Sequence, residues 1–197
     1  MDRFYSDKKR TFREYKQQLT IYKRNRRIID YWQQSENNRD LMNSIEIILL
    51  NFSEIRRRSV KLWSGIPNEY LNWKPDENAF TIIEMIRHVL EGEHLFHKII
   101  ENRGDLGDYQ SPWSGLKYSD LKNELDINEK YRAKFLSMIH GLKESDLECV
   151  KIERKEVEQS KKLGDYLNRM AYHESVHTGQ ILSYLRTIEI ERPQIWD

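Results

Sequence analysis

A long amphipathic segment near the end of the chain, about residues 163–188, places the strongest constraint on the fold. Large side chains recur in it every three or four residues, which is the spacing of one face of an α-helix. No proline interrupts it, so the segment predicts a single long helix that must bury one side against other helices. The residues of this stripe are Tyr166, Met170, His173, His177, Ile181, Tyr184 and Ile188.

Three earlier segments have the same periodicity, at about residues 43–65, 81–104 and 119–140. Only 8 glycines and 4 prolines punctuate the 197 residues, so the elements should be few and long. Residues 147–160 alternate loosely and favour a short hairpin or an extended crossover. The pattern predicts an all-α protein, a four-helix bundle. The residues that should begin or end its helices are Asn43, Gly65, Pro67, Thr81, Gly104, Gly107 and Gly141.

The first 39 residues differ in charge from the rest of the chain. They contain 11 Lys or Arg against 5 Asp or Glu, whereas the whole chain has a net charge of only +1. Large residues at helical spacing (Phe12, Tyr15, Leu19 and Tyr22) predict an additional amphipathic N-terminal helix. We expect residues 1–39 to form this extension and residues 40–197 to form the bundle. The extension should pack on its own bundle or on a second copy in a homodimer, and the low net charge argues against nucleic-acid binding.

Composition also narrows the setting in which the protein works. Cys149 is the only cysteine, which excludes an intramolecular disulfide and is typical of a reducing cytosol. No apolar run approaches the roughly 18 residues of a membrane span, and the N-terminus lacks a signal-peptide core. We therefore expect a soluble, cytoplasmic protein.

Two histidines in the last helical segment suggest a metal site. His173 and His177 are four residues apart, so their rings lie on one helix face and can reach one ion. His88, in another helical segment, could supply a third imidazole. Gly92 and Gly179 would let the two helices approach each other and leave room for the ion. The remaining histidines (His94, His97 and His140) are predicted to be ordinary surface or edge residues.

The spelling His173-Glu174-x-x-His177 also matches the zincin motif, in which the glutamate is the general base of a metalloprotease. A metzincin would need glycine and histidine where this chain has Gln180 and Ser183. Only twenty residues follow His177, which leaves no good downstream ligand. These departures argue against a protease. Glu174 is then a neighbour of the site, turned about 100° away from His173, where it could support a ligand.

From about residue 43 onward the chain resembles the DinB/YfiT superfamily of metal-binding four-helix bundles, which is unrelated to the DNA polymerase of that name. The most specific match is His173-Glu174-x-x-His177-x-Gly179-Gln180-Ile181. Asn72-Trp73-Lys74-Pro75 with Phe80-Thr81-Ile82, His88-Val89-Leu90 with Glu93, and the closing Pro193-x-x-Trp196-Asp197 are also similar. The resemblance implies a divalent metal held by His88, His173 and His177, with water completing the shell. Residues 1–39 lie outside it.

The resemblance constrains the site more closely than the reaction. Relatives include transferases that use a low-molecular-weight thiol such as bacillithiol, an isomerase that uses mycothiol, and inferred hydrolases. The first reading is therefore a metal-dependent transferase that activates a small thiol, or water, for attack on a small-molecule substrate. The alternative is a metal-binding stress-response bundle without turnover that acts through a protein partner. Imidazole ligands suit Zn, Ni, Fe or Mn, so the sequence does not name the metal.

Overall fold

The computed structural model describes residues 42–196, and within them it is an all-α bundle as predicted. Four long helices form its body: α1 Ser44–Trp63, α2 Ile82–Asn102, α3 Leu121–His140 and α5 Leu163–Thr187. A short helix, α4 Glu144–Cys149, precedes α5 and was not predicted. The predicted N-terminal helix and the boundary at residues 39–40 lie outside the described residues.

Side-chain pairs show how the four long helices are oriented. Arg56 contacts Glu174, and one turn further along both helices the hydroxyls of Ser59 and Thr178 lie 2.9 Å apart, so α1 and α5 are parallel. α2 and α3 are also parallel, since Arg87 pairs with Glu124 and His94 packs on Tyr131 seven residues later in each. The two pairs are antiparallel to each other. Because α2 and α3 are consecutive and run in the same direction, this arrangement requires a long connection between them, which residues 103–120 supply.

Local sequence signals explain where the helices begin. Asn43 and Glu46 form a capping box at α1, and Thr81 and Glu84 form one at α2, so both predicted N-caps are confirmed. The prediction that Gly104 closes α2 is wrong. The last helical residue is Asn102, and Arg103 closes the helix in the left-handed conformation (φ 57°). Gly104 instead allows close approach, since a Cβ there would lie 2.4 Å from the Glu153 carbonyl oxygen.

The bundle interior consists of two apolar clusters with a polar layer between them along the axis. One cluster surrounds Trp63, Ile86 and Leu185, and the other surrounds Phe52, Phe135 and Leu167. Each long helix contributes to both clusters and places polar residues between its two contributions. The buried members of this polar layer are Arg56, Ser59, Glu93, His94, His97, Asn128, Glu174 and Thr178.

The connection from α3 to α5 contains the hairpin that the alternation at residues 147–160 favoured. Strands β1 Lys151–Arg154 and β2 Gln159–Lys162 pair antiparallel, with Ile152 fully buried. β2 leads directly into α5, whose first residue donates its N–H to the Val150 carbonyl at 2.9 Å. None of the helices within residues 42–196 is long and apolar enough to cross a membrane.

Candidate metal centre

The antiparallel packing of α2 on α5 brings together the three histidines that the sequence singled out. The Nε2 atom of His173 lies 3.0 Å from Nε2 of His88 and 3.1 Å from Nε2 of His177. One ligand atom from each ring can be chosen so that all lie within 4.8 Å of one another. The convergence of three imidazoles from two helices is therefore observed. Their assignment as metal ligands remains a prediction.

The chemistry of this donor set fits a cation better than it fits a hydrogen-bond network. Nδ1 of His177 lies 2.6 Å from the Gln180 side-chain oxygen, so this nitrogen carries the proton and Nε2 presents a lone pair to the cluster. A ring nitrogen either donates or accepts, and the central Nε2 of His173 cannot satisfy both neighbours well. Two nitrogens bound to one tetrahedral zinc are about 3.3 Å apart, close to the observed spacings.

The cluster is half-buried, and this keeps its rings in the form that binds metals. Burial, reinforced by His177 and His88, lowers the pKa of His173 to about 4. Burial and His177 also lower the pKa of His88, while Glu91 opposes the change. Neutral imidazole is the metal-binding form, so both rings are ready to coordinate at neutral pH.

One of the two predicted spacer glycines serves the site and the other does not. A Cβ on Gly92 would lie 3.2 Å from Cε1 of His173, so the missing side chain makes room for that ring. A Cβ on Gly179 would meet nothing within 4 Å, and the prediction for Gly179 is therefore wrong. The reason is geometric: Gly179 is turned about 120° from His173 around α5, towards solvent.

The surroundings of the rings differ between the inner and outer sides of the cluster. On the inner side the Phe96 ring lies 6.3 Å from the His173 ring. On the outer side Phe80 packs against His88 at 5.3 Å and is 48% exposed. The solvent-exposed surroundings of the cluster therefore include Phe80.

Glu174 does not act at the cluster as a zincin glutamate would. It is buried, and its two carboxylate oxygens accept from Nε and Nη2 of Arg56 at 2.8 and 3.0 Å. Burial alone would raise its pKa, but the charge and hydrogen bonds of Arg56, together with Arg132 and Ser59, outweigh burial and lower it. An ionised carboxylate held by a buried arginine is not available as a general base beside His173. Glu174 therefore lies next to the site, as expected, and forms a structural ion pair with Arg56.

Glu93 extends this ion pair into a network that the sequence did not reveal. Its Oε2 accepts from Nη2 of Arg56 at 3.2 Å and from Arg132, while Arg56 also donates to Asn128 at 3.1 Å. A cavity of about 10 Å³, the size of one water, lies between Glu93, Glu174 and His173. Arg56 stands in the apolar stripe of α1, one turn after Phe52, and that is the signal that could have exposed the network.

The prediction that His94 and His97 are surface residues is wrong. Only 6% of His94 and 2% of His97 are exposed. Nδ1 of His94 lies 2.8 Å from the Tyr109 hydroxyl, and His97 packs on Phe135. Both rings face α3 and the loop before it, so they occupy the side of α2 away from the cluster. The third residue of this group, His140, is exposed at the end of α3, as expected.

Cys149 lies away from the three histidines. It is exposed at the end of α4. The adjacent Val150 contacts the start of α5, ten residues before His173, which is about 15 Å along a helix. A role for this thiol at the cluster finds no support in the described residues.

Comparison with known proteins supports the architecture. A crystal structure of a DinB-like protein, YjoA from Bacillus subtilis, superposes with a TM-score of 0.57 at 21% identity, covering 75% of this chain and 96% of that one. The same relative, the uncharacterized protein YjoA of Bacillus subtilis (strain 168), is 26% identical over 141 residues, which is 71% of this chain and 87% of the relative. The sequence profile of the DinB superfamily matches residues 51–181. This match contains all three clustered histidines, and the chain belongs to the DinB superfamily.

Proposed function

We propose that the protein is a metal-dependent enzyme, a transferase that uses a small thiol, or water, at a divalent ion held by His88, His173 and His177. The observation that carries the proposal is that the Nε2 atoms of His88 and His177 each lie within hydrogen-bonding distance of Nε2 of His173 in a half-buried cluster. A divalent ion bound there would act as a Lewis acid and lower the pKa of a coordinated thiol or water.

The chain's own residues support this role by what they hold in place. Gln180 accepts from Nδ1 of His177 and so keeps the Nε2 lone pair directed at the cluster. Gly92 leaves room for His173, and Phe96 shields the inner side. Three neutral imidazoles leave the full charge of a divalent ion uncompensated, which favours binding of a thiolate or hydroxide.

No protein nucleophile is needed for this chemistry, and the described residues offer none at the cluster. Glu174 is committed to Arg56, and Cys149 lies away from the site. These positions support a reaction in which the attacking atom comes from a substrate. A thiol would attack an electrophilic carbon, forming a sulfur–carbon bond while a leaving group departs and the thiol proton passes to solvent.

The test begins with elemental analysis of the purified protein, which identifies the bound metal and its stoichiometry. Conjugation of monochlorobimane to 2-mercaptoethanol is then followed by fluorescence, with loss of chloride as the balancing step. We expect steady turnover that requires the metal and that is lost in His173→Ala and His177→Ala. The Cys149→Ser variant is the matched control, because it removes the protein's own thiol and should retain full turnover.

The alternative function, a metal-binding bundle without turnover, predicts a different result. Such a protein would bind one equivalent of metal through the same histidines and would not accelerate conjugation above the metal-free protein with any of several thiols. That outcome, together with no hydrolysis of activated esters, would overturn the enzymatic proposal and leave the metal site standing.

A further inference from the structure

Phe80 is a large apolar side chain that stays exposed directly beside the three-histidine cluster. Its ring centroid lies 5.3 Å from that of His88 with the planes inclined by 33°, and 48% of its surface is exposed. Phe80 immediately precedes the N-cap Thr81, so the start of α2 fixes its backbone. Exposure alone carries no argument, since single exposed apolar residues are common. The position of Phe80 is the informative feature, because a ligand that binds at Nε2 of His88 comes within contact distance of the Phe80 ring packed on that imidazole.

A second exposed apolar side chain comes from the other helix of the site. Val176 is 37% exposed and immediately precedes His177. Three residues at 100° each place it about 60° from His173 around α5, on the solvent side of the histidine face. The outer rim of the cluster thus has an apolar residue from the start of α2 and another from α5.

The charges near the rings favour an uncharged ligand tail. Besides the histidines themselves, the groups that act electrostatically on His88 and His173 are Glu91 and Glu174. Glu174 is already paired with Arg56. The acidic Glu91 beside His88 disfavours an anionic tail, whereas an apolar tail would cover the exposed ring of Phe80.

We propose that Phe80, with Val176 at its edge, forms an apolar subsite for an aromatic or similar uncharged group on the molecule that binds the metal. The inference rests on the proposed function and deepens it by naming the substrate class: small metal-binding compounds with a hydrophobic substituent. A phenyl group packed on Phe80 would cover about 50 Å² of apolar surface, which corresponds to about a tenfold gain in affinity.

The experiment uses full-length protein loaded with Co(II), whose absorption spectrum reports ligand binding without any turnover. 2-Phenylethanethiol is titrated against ethanethiol, and phenylacetate against acetate, so that each pair differs only in the phenyl group. We expect the phenyl member of each pair to bind about tenfold more tightly. In Phe80→Ala this preference should disappear at unchanged Co(II) content, while Phe80→Leu should keep part of it.

Trp196→Ala is the matched control, because Trp196 is an aromatic residue that is 76% exposed and lines a cavity with Leu182, about 180° from His173 around α5. It should retain the full preference for the phenyl compounds.

Equal affinities within both pairs would overturn the subsite and leave the thiol chemistry intact. A preference confined to the carboxylate pair, with neither thiol binding, would overturn the thiol function and support the subsite. Binding of none of the four compounds would overturn the subsite. So would loss of Co(II) in Phe80→Ala with an undiminished preference in Phe80→Leu, since Phe80 would then only position His88.

Discussion

Helix α2 carries histidines on two sides, and the two sides have different properties. His88 faces α5 and is half-buried within hydrogen-bonding distance of a second imidazole. His94 and His97 face α3, are more deeply buried, and pack against aromatic rings. Burial lowers the pKa on both sides, for His94 to about 4. Burial and a low pKa therefore do not distinguish a candidate ligand from a core histidine.

What distinguishes the two sides is the facing helix. α5 presents His173 and His177 to His88, whereas α3 presents Tyr131 and Phe135 to His94 and His97. A single imidazole among aromatic rings gains packing and one hydrogen bond. Three imidazoles with converging lone pairs gain most from a cation. A candidate metal ligand is thus recognised by further imidazoles that a second helix directs at it, and the variants below test this property.

The largest expected effect is loss of metal from variants on the α5 side. His88→Ala, His173→Ala or His177→Ala should each abolish stoichiometric metal binding. Each variant removes one of three ligands, and the two imidazoles that remain are too few to hold the ion tightly. The helical fold should remain, since both apolar clusters are intact. Elemental analysis and far-ultraviolet circular dichroism of the purified variants check the two statements.

Variants on the α3 side provide the control for that experiment. His94→Ala and His97→Ala should keep one equivalent of metal and instead lower the free energy of unfolding by about 1–3 kcal/mol, the usual cost of disturbing a buried polar group. Retention of full metal content in a His173→Ala, His177→Ala double variant would end the ligand assignment. Loss of metal in His94→Ala would show that the two sides of α2 are not independent.

The next effect concerns the dependence of stability on pH. The pKa of His94 in the folded protein is about 4, below the value of about 6.5 expected for the unfolded chain. Its contribution is therefore complete above pH 6.5 and is lost as the pH falls from 6.5 towards 4, by about 2–3 kcal/mol. Urea denaturation of metal-free protein across this range measures the loss. His94→Gln, which can still form a hydrogen bond with Tyr109, should reduce the dependence of the free energy of unfolding on pH. An unchanged dependence would show that His94 is not its source.

A smaller effect is expected from the residue that orients His177. Gln180→Ala removes the acceptor of the Nδ1 proton, so the ring can present the wrong nitrogen to the cluster. Loss of such a partner typically weakens metal binding by about 10- to 100-fold. Competition with a chromogenic chelator measures the change. Gln180→Glu, which keeps an acceptor oxygen, should bind at least as tightly as the natural protein, and equal affinity in Gln180→Ala would show that the contact does not matter.

The sequence was sufficient for features that depend on local pattern and spacing. The long helices, the N-caps Asn43 and Thr81, and the pairing of His173 with His177 all follow from periodicity within one segment. The helical pattern made the convergence of His88 on that pair possible, and the family resemblance implied it, because spacing alone does not show which helices face each other.

Features that depend on the facing helix were missed. The face of α2 that carries His94 was predicted to be exposed. Helical periodicity gives only the angle of a residue around its own helix axis, and it does not show that α3 covers that face. Arg56 stands in the apolar stripe of α1, but the sequence did not identify its partners Glu174 and Glu93, which lie 118 and 37 residues away. Gln180 was visible in the signature, but its contact with His177 depends on side-chain rotamers.

The smallest effect separates the two glycines that the sequence treated alike. In Gly92→Ala the new methyl group would lie 3.2 Å from the His173 ring, so the ring must shift by a few tenths of an ångström and metal affinity should fall several-fold. In Gly179→Ala the methyl group meets nothing within 4 Å, and alanine should stabilise α5 by about 0.5–1 kcal/mol with metal affinity unchanged. Thermal unfolding of metal-free protein and chelator competition measure the two quantities for both variants. Because the substitution is identical, a fall in affinity for both would point to a general effect on the packing of the helices. A fall confined to Gly92→Ala would show that the space beside His173 is part of the site.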